Sequence, residues 1–154
     1  MVSYSDRKGL GNPNFITEEY KDAVTQFSKM IGLGAEPMTW KLDKSKYGLR
    51  YIYIWSNGKV GYIGQSFNPA KRIYDELNEC NKYSKDKRPK WLYENGYAKN
   101  WERFAKDFKV TVFRTITAEV DEIEEYYIKN FKDYWDTIGI EMLNMQNVEK
   151  NKEV

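Results

Sequence analysis

An Asn-Gly dipeptide set between alternating aromatic and aliphatic residues commits this chain to an antiparallel β-hairpin. The segment reads Tyr51-Ile52-Tyr53-Ile54-Trp55-Ser56-Asn57-Gly58-Lys59-Val60-Gly61-Tyr62-Ile63-Gly64. Two-residue hairpin loops favour Asn-Gly because both central residues adopt positive φ. With Asn57 and Gly58 as the loop, Ser56 faces Lys59, Ile54 faces Gly61 and Tyr53 faces Tyr62. Side chains alternate along a strand, so Ile52, Ile54 and Ile63 point into a core, while Tyr51, Tyr53, Trp55, Tyr62 and Gly64 share the other face. Paired phenols ordinarily serve as a stabilising cross-strand contact. The rest of the chain gives them a chemical use to compete with that one.

Chemistry is narrowed most by a missing residue type. None of the 154 residues is histidine, which excludes a Ser-His-Asp relay, a Cys-His pair and any imidazole metal ligand. Acid-base chemistry is left to Tyr, Glu, Asp, Lys or water, and a metal site would be built from oxygen, which suits Mg²⁺, Mn²⁺ or Ca²⁺. The single cysteine, Cys80, falls on an apolar helical stripe and reads as a buried filler. With a formal net charge of +2, a polyanionic partner has to be argued from local clusters and not from the sum. No apolar run is long enough to span a bilayer and no signal-peptide pattern is visible, so the expectation is an intracellular, cytoplasmic protein without a membrane partner.

The length suits one domain with a single core. Residues 1 to 16 read as an irregular arm, followed by a helix with Thr17 as N-cap, apolar positions Ala23, Val24, Phe27, Met30 and Ile31, and Gly32 and Gly34 at its end. Residues 35 to 47 form a connector to the hairpin, which spans about 49 to 64. Asn68-Pro69 then signals an N-cap and a first helical turn, and Ala70, Ile73, Leu77 and Cys80 form the buried stripe of a helix running to about residue 80. That stripe leaves Arg72 and Glu76 on a neighbouring face, one turn apart. Residues 82 to 108 are basic and aromatic, 109 to 115 alternate as a third strand, and Thr117 is expected to cap a further helix. The expected fold is therefore α+β: a small three-stranded antiparallel sheet, hairpin 49 to 64 plus strand 109 to 115, flanked by helices. An N-terminal arm and helix occupy residues 1 to 46, the main domain residues 47 to 148, and a frayed tail residues 149 to 154.

One carboxylate is out of place. On the helix from 118 to 132, Val120, Ile123, Tyr127, Ile128 and Phe131 fall on one arc at about 100° per residue, and Glu124 lies inside it, whereas Glu125 points to solvent. A carboxylate on an apolar face is penalised by desolvation unless it is paired, protonated or bound to a metal. Arg72 or Arg114 could supply a purely structural partner.

Taken in order, these residues resemble the GIY-YIG nuclease domain over about residues 49 to 145. Tyr51-Ile52-Tyr53 stands where the family has Gly-Ile-Tyr, Tyr62-Ile63-Gly64 matches its second motif, and Gln65-Ser66 is a common continuation. Arg72 follows Tyr62 at the family spacing, Glu124 resembles the metal-binding glutamate, and Asn144 resembles the asparagine near the end of the domain. Two positions depart. Tyr51 replaces a glycine, and Glu76 occupies a site that resembles a His or Tyr position in the family.

The resemblance implies a metal-dependent DNA endonuclease that hydrolyses phosphodiester bonds with one Mg²⁺ or Mn²⁺ held by Glu124. Arg72 would clamp the phosphate, Tyr53 would orient or deprotonate water, Tyr62 would hold the water or the phosphate, and Asn144 would support the site. A phenol of pKa near 10 is only about 0.1% ionised at neutral pH, so Tyr53 needs a lowered pKa or a proton acceptor, for which Glu76 is available. The same glutamate could instead simply pair with Arg72. Lys82, Lys85, Lys87, Arg88 and Lys90 are candidate phosphate contacts, with Trp91 or Tyr93 free to stack on a base; the competing reading is a solvated loop followed by a helix with core aromatics. The expected partner is double-stranded DNA, in a bacterial or phage-infected cell. Only about ten residues follow Asn144, so target selection would fall to residues 1 to 46, to the basic stretch or to a homodimer, which favours a compact restriction-like or phage enzyme over a fully equipped homing enzyme. The alternative is a catalytically inactive module of the same fold that binds nucleic acid or protein.

Overall fold

A computed structural model describes residues 16–34 and 38–144. The order of elements is α1 (Glu18–Met30), β1 (Leu49–Ser56), β2 (Val60–Ser66), α2 (Pro69–Glu79), α3 (Lys87–Glu94), α4 (Trp101–Asp107), β3 (Lys109–Ile116), α5 (Thr117–Ile138) and β4 (Glu141–Met142). The strands form one mixed sheet in the order β3-β1-β2-β4. The fold is α+β as expected, but the expected three-stranded antiparallel sheet gains a fourth strand, β4, which lies parallel to β2. Two residues long, β4 offers no local periodicity; it is held by Glu141 N–H donating to Lys59 C=O and Leu143 N–H donating to Gly61 C=O. The expected arm at 1 to 15 and the tail at 149 to 154 lie outside the described residues.

The hairpin forms with a shifted register. Tyr53 pairs with Gly64, Ile54 with Ile63, and Trp55, not Tyr53, with Tyr62. Asn57 causes the shift. Its side-chain carbonyl accepts both the Lys59 and the Val60 N–H, which moves the turn centre to Gly58-Lys59, with Gly58 alone at positive φ, +89°. Because the shift is two residues and side chains alternate with period two, every residue keeps its expected face. Ile52, Ile54 and Ile63 join Val120, Trp135 and Met142 in a cluster under α5. On the other face, Tyr53 and Trp55 pack with residues of α1, α2, α3 and α4, including Phe27, Leu77, Leu92 and Phe104. The N-terminal helix is thus part of the main core, contributing Val24, Phe27 and Ile31. Trp55 stands edge-on to Phe104 and Phe108, which stack on each other at 4.5 Å between ring centroids. Full burial of such a side chain is worth roughly 1.5–3 kcal/mol, so this aromatic layer anchors β1 against the helices.

The caps follow the sequence at two of three helices. Thr17 accepts from Tyr20 N–H, Asn68 accepts from Lys71 N–H, and Pro69 starts α2. The third differs. Ile116 holds the N-cap position of α5, and Thr117 instead sends both its N–H and its hydroxyl to Gly48 C=O, fastening the connector before β1 to the start of the helix.

Candidate active site at the two faces of strand β2

On the aromatic face, α2 carries Arg72 and Glu76 on successive turns beside Tyr53 and Tyr62. The Tyr53 and Tyr62 rings are diagonal neighbours, 6.1 Å between centroids and tilted by 45°. Gly64, opposite Tyr53, makes room for this: a Cβ there would lie 2.6 Å from the Tyr53 Cζ and hydroxyl oxygen. Glu76 is the hub. Its Oε2 meets Arg72 Nε at 3.1 Å and Arg88 Nη2 at 2.8 Å, while its Oε1 is buried with no hydrogen-bond partner. Arg88 places its guanidinium 4.4 Å from the centroid of the Tyr62 ring.

Arg88 is set apart from the rest of the basic run by its burial. Proposed from sequence as one member of an exposed basic run, it turns inward from α3, and its side chain is 18% exposed against 54% for Arg72. A run of five cations looks uniform in sequence, and which one turns inward depends on how α3 docks on α2. Lys82, Lys85 and Lys90 are exposed, as expected of phosphate-contacting or merely solvated residues. Lys87 contacts Glu141 at 2.6 Å. Trp91 is less available for a base than expected, because one face of its ring stacks on Tyr97 at 5.6 Å and its edge meets Phe108.

Electrostatics redefine the tyrosines. Burial first, and then the negative charge of Glu76, push the Tyr53 phenol well above the ordinary tyrosine value. Burial also raises Tyr62, with Arg88 opposing it. Both shifts favour the neutral phenol, and of the two expected roles for Tyr53 they favour orienting water over deprotonating it. Glu76 is engaged by both arginines through one oxygen.

On the isoleucine face, α5 brings Glu124 and, one turn earlier, Asp121. Gln65 at the end of β2 joins them: its side-chain amide donates to Glu124 Oε1 at 2.9 Å and to Asp121 Oδ1 at 2.8 Å, and its carbonyl accepts from Arg50 Nη2 at 2.8 Å. Gln65 is thus a hydrogen-bond partner of Glu124 that the sequence did not single out. Sequence reading missed Gln65, Arg50 and Asp121. The signal was present for Gln65, which alternation puts on the same face as Ile63. Burial raises the Glu124 carboxyl above the usual range, the Gln65 hydrogen bond opposes this, Asp121 adds to it, and Arg50 and Arg72 pull it down. Glu124 also contributes to raising Tyr62.

Asn144 fastens this strand. Its side chain accepts from Ile63 N–H at 3.1 Å and donates to Ile63 C=O at 2.7 Å, so one amide satisfies both backbone groups of the residue between Tyr62 and Gly64. It is buried and continues the pairing of β2 beyond β4.

Glu124 and Asp121 supply the oxygen donors that suit a hard divalent cation, and Mg²⁺ is commonly held by one or two carboxylates with substrate phosphates. Their mutual repulsion and the burial of Glu124 mean that a cation there would relieve an electrostatic cost, which fits the group. Among the described residues no set of three or more His, Cys, Asp or Glu side chains converges as a metal cage. No family model matches the chain, and neither a curated protein nor a solved structure matches it. Among the described residues no helix is long and apolar enough to cross a membrane.

Proposed function

We propose that this protein is a metal-dependent endonuclease of the GIY-YIG type that hydrolyses phosphodiester bonds in double-stranded DNA. The observation that carries the reading is the placement, on the two faces of β2 at its Tyr62-Ile63-Gly64 segment, of an arginine cluster and a pair of carboxylates. A phosphodiester needs cationic donors for its non-bridging oxygens and a second group for the charge that grows on the leaving oxygen. Arg72, the more exposed arginine of the cluster, presents a planar fork suited to the phosphate. Tyr53 and Tyr62 act as neutral donors that orient the attacking water and the phosphate. Glu124, with Asp121 beside it, would hold Mg²⁺ or Mn²⁺, and a bound ion supplies stabilisation of negative charge on the reacting phosphate. Gln65 and Arg50 fix the Glu124 carboxylate, and Asn144 fixes the strand between the two clusters.

A silent binding module of the same fold is the second reading, favoured by the engagement of Glu76 in two ion pairs. Supercoiled plasmid incubated with the protein, with and without Mg²⁺ or Mn²⁺, decides between them. Nicking or linearisation that EDTA abolishes is the expected result; retained DNA binding without any cutting would leave the module.

A further inference from the structure

We propose that Arg88 is a second phosphate-contacting residue and that Glu76 is its resident counter-anion, from which an arriving phosphate withdraws it. The inference rests on the endonuclease reading above and identifies how its anion site is built. Two guanidiniums face one carboxylate, so the cluster carries an excess positive charge at the rim where Arg72 is exposed. Glu76 engages both arginines through Oε2 alone, leaving Oε1 buried and unpartnered, and Arg88 Nε is buried and unpartnered as well. A buried acceptor and a buried donor left unmatched are a costly arrangement for a pair whose only task is structural.

A phosphate has more acceptor oxygens than a carboxylate and can engage two guanidiniums at once. Arg88 is preoriented for this by the Tyr62 ring beneath it, so turning toward an anion at the rim requires little loss of side-chain freedom. Glu76 then does for the empty site what the phosphate does for the filled one. It keeps two like charges together on α2 and α3, and it sets a threshold that only an anion at least as good as a carboxylate can cross. The position that departs from the family resemblance is thereby a part of the anion site and not a lost base.

The two members of this pair should respond to substitution with opposite sign, which a structural ion pair would not do. The test is the affinity of a labelled 20-base-pair duplex in EDTA, measured by fluorescence anisotropy over a series of salt concentrations, with thermal unfolding as a check on folding. Arg88→Gln is expected to weaken binding roughly tenfold and to lower the salt slope by about one, the signature of one lost phosphate contact. Arg88→Lys, which keeps the charge, should restore the slope. Glu76→Gln, which releases both guanidiniums, should tighten binding several-fold. Unchanged affinity and slope in Arg88→Gln, or weakened binding in a folded Glu76→Gln, would overturn the assignment while the endonuclease reading stands. A wild-type protein that neither binds nor cuts DNA would remove both.

Discussion

The two faces of strand β2 solve opposite electrostatic problems. On the aromatic face two arginines share one glutamate, so positive charge is in excess and already partly neutralised. On the isoleucine face two carboxylates share one glutamine, whose carbonyl accepts from Arg50. On the proposed reading the first cluster receives an anion and the second a cation. Between them lies β2, with the Tyr53 ring packed against Gly64 and Ile63 held by Asn144. The contrast teaches that charge here is divided by face. On the proposed reading, substrate binding falls to α2 and α3 and charge stabilisation to α5.

That division can be broken from either side. Arg72→Ala should have the largest effect after loss of Glu124, lowering kcat/KM by about 100- to 1,000-fold and weakening duplex binding together with it. Cleavage kinetics beside a binding isotherm would show this, and loss of cleavage with wholly unchanged binding would move Arg72 to the other side of the comparison. Gly64→Ala attacks the strand between the clusters. The new methyl would meet the Tyr53 and Tyr62 rings, so stability should fall by about 1–3 kcal/mol in denaturant titration, with activity falling further than unfolding explains. Gln65→Leu should lower metal affinity or activity by about 10- to 100-fold, with DNA affinity in EDTA unchanged, because it frees the Glu124 carboxylate without touching the arginines.

The smallest effect concerns Glu79, at the last turn of α2. Burial, then Asp75 and Glu76, raise its carboxyl from 4.5 to about 7. Folding thus favours the protonated form, and the native state binds more protons than the unfolded chain between these values. Stability should fall as pH rises from about 4.5 to about 7. A negative charge at a helix C-terminus, four residues after Asp75, acts in the same direction. Glu79→Gln should flatten this dependence and raise Tm slightly at pH 8; an unchanged pH profile would show that solvent screens the group.

Much of this was legible in the sequence where the signal is local. Thr17 and Asn68 cap because a short polar side chain reaches an N–H three residues on, and the faces of β1 and β2 follow from period-two alternation. Register was not legible. Asn57 can serve either as a turn residue by its backbone or as an acceptor by its side chain, and the second choice moved the pairing by two. Glu124 could be singled out because a carboxylate interrupts an apolar arc, yet its partner could not, since Gln65 lies 59 residues away. Arg88 and β4 were hidden for the same reason: what distinguishes Arg88 from its basic neighbours, and Glu141 and Met142 from a loop, is a docking partner far along the chain.

The most direct test sets cutting against binding in one preparation of Glu124→Ala. Plasmid cleavage in Mg²⁺ or Mn²⁺ and duplex binding in EDTA would be measured beside the wild-type protein. The expected result is cleavage reduced by at least about 1,000-fold with binding unchanged, because the carboxylate face acts on the reacting phosphate and the arginine face holds it. Undiminished, EDTA-sensitive cutting by Glu124→Ala would contradict the account.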